Sequence, residues 1–170
     1  MNSIPIEIER KYIIRIPDEE AMRSSLGYTC SEIVQIYLNS APGVTHRVRE
    51  RKTDGKSVYT ETKKIRIDKM SAFEDEKNID EREFQNLSKN VKKGTVPVRK
   101  ARHTFLHLEK TIEIDVYPQW KNSCIMEVEL TSREEEIKLP PFIEIIKEVT
   151  GEKAYSNASM AMSFPNEIIK

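Results

Sequence analysis

Most of the chain alternates apolar and polar residues with a period of two, the mark of strands with two unlike faces. Strand-like windows run over 5–15, 32–39, 45–52, 57–67, 72–79, 97–107, 110–117 and 124–132, and "KTDGK" (Lys52 to Lys56) is a hairpin-turn signal between two of them. Helical spacing is confined to short stretches. In "PDEEAMRSSLG" Asp18 can cap a helix that Gly27 stops; in "IDEREFQNLSKNVKKG" Asp80 and Glu83 form a capping-box pattern, Phe84, Leu87 and Val91 recur at helical spacing, and Gly94 ends the run. A third helix is expected in "LPPFIEIIKEVTG", opened by Pro140 and Pro141, and a fourth from Ser156 in "SNASMAMSF". These elements predict an antiparallel α+β protein rich in strands. No Gly/Ser or Pro-rich linker divides the 170 residues, so one domain over 1–170 is expected.

Successive side chains of a strand point to opposite sides, so the next question is which face carries charge. In "IPIEIERKYIIRI" Glu7, Glu9 and Lys11 share one face, with Ile6 and Ile8 between the acids on the other. Glu113 and Asp115 in "TIEIDVY", Glu127 and Glu129 in "CIMEVELT", and Glu74 and Glu76 in "FEDE" repeat the acidic pair. Three basic strands complement them: Arg47, Arg49 and Arg51 in "THRVRER", Lys63 with Glu61 in "YTETK", and Lys100 with Arg102 in "VRKARH". One such strand would ordinarily be a solvated sheet face. Acidic pairs on four strands and basic ones on three are different, because like charges side by side destabilise a sheet and a merely soluble surface mixes signs. Short helices can cover only the outside of a curved sheet, which leaves the charged faces pointing into a barrel with a polar lumen. A metal ion bound to a polyanion would satisfy both signs there: carboxylates hold a hard cation, and Arg and Lys hold phosphate oxygens.

Composition narrows the field further. Lys+Arg 28 balances Asp+Glu 28, and with 33% charged residues no net charge favours nucleic acid or an acidic membrane. The longest apolar runs span only a few residues and the N-terminus lacks a signal-peptide pattern, so a soluble, cytoplasmic protein without a membrane partner is expected. Cys30 and Cys124 are isolated thiols without CxxC spacing, and His46, His103 and His107 are scattered over strand-like sequence, so neither a disulfide framework nor a zinc site is expected.

Taken in order, these motifs resemble the CYTH superfamily, the triphosphate tunnel metalloenzymes. The ExExK signature of a first strand is present as Glu7, Glu9 and Lys11 in "EIERK", and the likeness continues through "HRVRERK", "YTETK", Glu74/Glu76, "VRKAR", "IEIDVY", "MEVEL" and "KEVTGEKAYSN". It spans about residues 5–160. The resemblance implies an eight-stranded antiparallel barrel forming a tunnel with short helices outside, a divalent ion (Mg²⁺ or Mn²⁺) held by acidic side chains, and a small-molecule triphosphate gripped by cations. Carried over by motif, Glu7, Glu9 and Glu129 are the main metal ligands, with Glu127 and Asp115 supporting a second ion or a nucleophilic water. Lys11, Arg47, Arg49, Lys63, Lys100 and Arg102 bind phosphates, Lys11, Glu127 and Asp115 act in catalysis, and Glu61, Glu74, Glu76 and Glu113 are further tunnel acids. Family members often carry an arginine just before the position of Glu74; here Ser71, Ala72 and Phe73 stand there, and Lys69 or Arg66 is the substitute. The implied activity is hydrolysis of tripolyphosphate with release of the terminal phosphate. The alternatives are nucleoside or thiamine triphosphate hydrolysis, cyclisation of ATP to cyclic AMP and pyrophosphate, and a non-catalytic polyphosphate-binding module.

Overall fold

The computed structural model describes residues 4–168. Nine strands follow in chain order: β1 (Ile6–Arg15), β2 (Leu26–Leu38), β3 (Val44–Thr53), β4 (Lys56–Arg66), β5 (Ser71–Ile79), β6 (Val98–His107), β7 (Lys110–Val116), β8 (Ser123–Glu129) and β9 (Ile145–Glu148). Helices α1 (Glu19–Arg23), α2 (Glu81–Leu87) and α3 (Asn157–Met162) are short, and a 3₁₀ turn spans Lys153–Tyr155. The strands run in the order β5-β4-β3-β2-β6-β7-β8-β1-β9, all pairs antiparallel, and β5 also pairs with the first residues of β1. That pairing closes eight strands into a barrel, leaving β9 as an extra strand beside the second half of β1.

The helix starts follow the sequence signals. Asp18 and Asp80 each accept a hydrogen bond from the amide three residues on, and Ser156 does the same for α3. Helix α2 stops at Leu87 instead of continuing toward Gly94, and Val91 instead bridges to Leu38. The helix expected in "LPPFIEIIKEVTG" does not form: Ile145–Glu148 is β9. Beyond the reach of β5, the Tyr12–Ile14 stretch of β1 has an open edge, and an antiparallel segment satisfies its backbone better than a helix would. Two hydrogen bonds frame the pairing, Arg15 N–H to the Glu144 carbonyl at 3.0 Å and Val149 N–H to the Lys11 carbonyl at 2.8 Å. The pattern is also strand-like, since Ile146 is buried against Ile13 and Val149 while Ile145 and Lys147 are exposed.

The outer faces of β1, β6, β7 and β8 form the main apolar core, with Tyr12, Ile14, Phe105, Ile112, Ile114, Met126 and Val128 buried. Met22 of α1 covers part of it, but Ile137, Leu139, Phe142 and Ile143 of the irregular segment after β8 cover the rest, so helices are not the main outer layer. A second cluster, Tyr37, Val98, Tyr117, Trp120 and Ile125, packs beneath Met160 and Ala161 of α3. No helix among the described residues is long and apolar enough to cross a membrane.

Candidate active site

The inward face of β1 begins Glu7, Glu9, Lys11 and then changes to Ile13, and that of β8 begins Glu129, Glu127 and changes to Ile125. The pairing sets Glu9 opposite Glu129, Lys11 opposite Glu127 and Ile13 opposite Ile125. Ile13 and Ile125 are buried, so the lumen is polar along part of its length and plugged by apolar side chains beyond it. The polar part is one cavity of about 960 Å³, and Glu7, Glu9, Lys11, Arg47, Arg49, Arg102, Glu113, Glu127 and Glu129 all line it, as do Glu74 and Glu76.

Two predicted residues on β4 lie elsewhere. Lys63 is exposed on the outside of the barrel, and Glu61, on the same outer face, bonds His46 Nε2 at 2.7 Å and Lys77 Nζ at 2.8 Å. The inward positions of β4 are Thr62 and Lys64, opposite Arg47 and Thr45 of β3. Lys64 Nζ lies 2.6 Å from Glu7 and 3.1 Å from Glu74. Lys100 and Asp115 are likewise not part of the cavity lining; they are sealed beneath it, 2.7 Å apart, beside the Tyr117 ring. Both Asp115 oxygens are engaged, by Lys100 and by Arg102 Nε and Nη2, each at 2.7 Å, while Arg102 Nη1 donates to Glu113. Asp115 therefore fixes the guanidinium plane of Arg102 in the lumen instead of facing the lumen itself. Arg66 and Lys69, the residues expected to replace the missing arginine before Glu74, both line the cavity.

Ion pairs run along the lumen wall between nearby strands. Lys11 Nζ sits 3.3 Å from Glu127, Arg47 Nη2 lies 3.7 Å from Glu74, and Arg49 Nη2 lies 3.3 Å from Glu76. The pairing leaves donors over: Arg47 Nε and Arg49 Nε are buried and have no hydrogen-bond partner among the described residues. Gln35 Oε1 and Thr60 Oγ1, on the two strands flanking Arg49, are in the same condition. Buried polar atoms are nearly always bonded, so this row of orphans marks a place where a ligand or water supplies acceptors to the two Nε–H groups and a donor to Gln35 Oε1.

The acids of the lumen titrate unequally. Burial, and then the neighbouring Glu127, push the Glu9 carboxyl up to about 8. Burial acts on Glu127 in the same direction, but Lys11, Arg102 and Lys100 together outweigh it and hold that group well below the usual carboxylate range. Of the two, Glu127 keeps the charge and Glu9 the proton. Burial also raises Glu7 and Glu129. Among the described residues no three carboxylates converge on one point as the side chains stand, and Lys64 and Lys11 occupy Glu7 and Glu127. The donor chemistry nevertheless fits a hard divalent cation: the acids are all oxygen donors, Glu9 and Glu129 face each other across β1 and β8, and a cation would relieve the repulsion that raises Glu9.

A closed eight-stranded antiparallel barrel with acids and bases facing inward is a triphosphate tunnel fold. Among solved structures the chain is similar to the inorganic triphosphatase NE1496, at 26% identity over 94% of this chain and 97% of the other, with a TM-score of 0.59. Protein PH1819 from Pyrococcus horikoshii OT3 (22% identity, 75% of this chain and 80% of that one, TM-score 0.57) and a candidate adenylate cyclase from Vibrio parahaemolyticus (12%, 75% and 79%, TM-score 0.52) share the fold. No protein-family model and no curated protein matches the chain.

Proposed function

We propose that this protein is a divalent-metal-dependent hydrolase of a small triphosphate, with inorganic tripolyphosphate as substrate and the terminal phosphate as product. The observation that carries the reading is the pair of orphaned guanidinium donors, Arg47 Nε and Arg49 Nε, buried in a lumen whose opposite wall is acidic. Phosphate oxygens are the acceptors such donors select. Lys64 and Arg102 add to the basic side and Lys11 reaches in from the acidic side beside Glu127, so that cations flank the chain of phosphates, and the rigid strands keep the reacting phosphorus in place. Glu7, Glu9 and Glu129 would hold Mg²⁺ or Mn²⁺, with Glu127 in support, and the bound ion supplies charge neutralisation and a more acidic water. Glu127, ionised and paired with Lys11, would orient the attacking water by accepting a hydrogen bond from it. The likeness to an inorganic triphosphatase supports the same reading.

Cyclisation of ATP is less well supported. Tyr37 is the one aromatic residue lining the cavity among the described residues, and its ring is buried, so no aromatic face is offered to an adenine. The test is to incubate the protein with tripolyphosphate or ATP and Mg²⁺ or Mn²⁺, then to separate products by anion exchange. Phosphate from tripolyphosphate, and ADP with phosphate from any ATP turned over, is expected. Cyclic AMP with pyrophosphate, and no phosphate from tripolyphosphate, would overturn the proposal.

A further inference from the structure

The cations of the cavity fall into two groups. Inside, Lys11, Arg47, Arg49, Lys64 and Arg102 all sit in the ion pairs described above, and Arg51 donates to Ser31 Oγ at 3.0 Å. At one end, Arg66, Lys69, Lys92 and Lys153 line the same cavity, and none of them forms an ion pair with a described carboxylate. The acids lining that end are engaged by other groups, Asp68 by Arg133 and Ser71 and Glu152 by Lys147.

The four cations come from three segments that meet where β3 begins and β4 ends. Arg66 closes β4, and Lys69 sits in the turn to β5. Lys69 packs so closely on Gly151 that a Cβ built there would lie 2.7 Å from the Cβ of Lys69, which brings the segment carrying Lys153 to the same place. Lys92 is anchored by its own amide, which donates to the Tyr37 carbonyl at 2.9 Å near the end of β2. Four unpaired positive side chains around one opening repel each other, and a polyanion at that opening removes the repulsion. The cavity, about 960 Å³, is at the top of the roughly 300–1,000 Å³ range that takes a drug-sized molecule, so three phosphates do not fill it.

We infer that Arg66, Lys69, Lys92 and Lys153 form an outer anion site that binds the distal phosphates of a linear inorganic polyphosphate longer than tripolyphosphate, which enters the lumen end first. The inference rests on the proposed triphosphate reading of the inner site and extends it to a substrate class, unbranched polyphosphate chains in preference to nucleotides. A nucleoside in that position would meet lysines and an arginine with no ring to stack on.

Affinities of the full chain for tripolyphosphate, linear pentaphosphate and ATP, measured by titration calorimetry in chelator and again in Mg²⁺, test this. Pentaphosphate should bind about tenfold or more tighter than tripolyphosphate, since each added rim contact is a modest exposed ion pair and several act together. The fourfold variant Arg66→Ala, Lys69→Ala, Lys92→Ala, Lys153→Ala should lose most of that preference. A control removing the same charge from the outer surface, Lys63→Ala, Lys89→Ala, Lys121→Ala, Lys138→Ala, should keep it. Equal affinity of the wild type for the two polyphosphates, ATP bound more tightly than pentaphosphate, or an equal loss of preference in the control would overturn the inference. If tripolyphosphate is bound and hydrolysed without a length preference, only the outer site fails; if neither polyphosphate binds in either buffer, the triphosphate reading fails with it.

Discussion

Adjacent lysines on β4 give the sharpest test of how the barrel wall is built. Lys64 points inward, 22% exposed, with its ammonium 2.6 Å from Glu7 and 3.1 Å from Glu74, whereas Lys63 is exposed outside without an ion pair to a described carboxylate. Lys64→Ala removes the counter-charge that Glu7 and Glu74 share and leaves two part-buried acids facing each other. The cost to the metal-free protein is about 1–3 kcal/mol, the range for a charged hydrogen-bonding group left without its partner, at the lower end because water reaches the site. If Lys64 also donates to a phosphate oxygen, its loss removes a charge-assisted contact of about 1.5–3 kcal/mol, or roughly 10- to 150-fold in Kd. Lys63→Ala, on an exposed face, should change stability by no more than about 0.5 kcal/mol and leave affinity essentially as it was. Thermal melts in chelator and tripolyphosphate titrations of both variants decide the matter. A loss of affinity in Lys63→Ala with Lys64→Ala unaffected would mean that β4 is turned over and the described wall is wrong.

Glu9→Gln should abolish most turnover and yet stabilise the metal-free protein. The Glu9 carboxyl sits near 8 in the folded chain against 4.5 in the unfolded one, so the folded state holds the extra proton and stability falls as pH rises from 4.5 to 8. Glutamine removes that decline, on the order of a few kcal/mol, which melts at pH 5 and pH 8 in chelator will register; parallel curves for the two proteins would refute it. Arg49→Ala should weaken tripolyphosphate binding about tenfold or more without harming the fold, because burial and the neighbouring Arg47 already disfavour its charge. Arg102→Ala should instead destabilise by about 3–5 kcal/mol in urea titrations, since it strips a buried aspartate of its main partner. Chelator should silence phosphate release from tripolyphosphate, and added Mg²⁺ or Mn²⁺ should restore it; metal-independent turnover would contradict the proposed donor set.

The sequence was legible wherever one strand sufficed. Alternation within β1, β3, β5, β7 and β8 put the right side chains on one face, because the period of two is a local property of the backbone. It was less legible wherever the answer depended on a neighbour. Nothing in "FIEIIKE" distinguishes a short buried strand from a helical turn; what makes it β9 is the open edge of β1, which exists only once β5 has claimed the other half of that strand. Lys100 and Asp115 carry the same alternation as Arg102 and Glu113, yet are sealed off where Ile13 and Ile125 fill the barrel, Asp115 directly opposite Ile125, and no strand records in its own pattern how deep the lumen runs. The β4 face is a different case, because the turn before it carries the information. Asp54 and Gly55, both with positive φ, make the two-residue turn that "KTDGK" announces, and this sets Thr53 opposite Lys56. Counting back equally from that turn places Arg49 opposite Thr60, Arg47 opposite Thr62 and Thr45 opposite Lys64. Directly opposed residues in an antiparallel pair point to the same side of the sheet, so once the arginines are inward, Lys64 is inward and Lys63 is not. A tight turn whose type can be read from its residues therefore carries the facing of one strand to the next, whereas charge at alternate positions alone leaves each strand free to be read either way up.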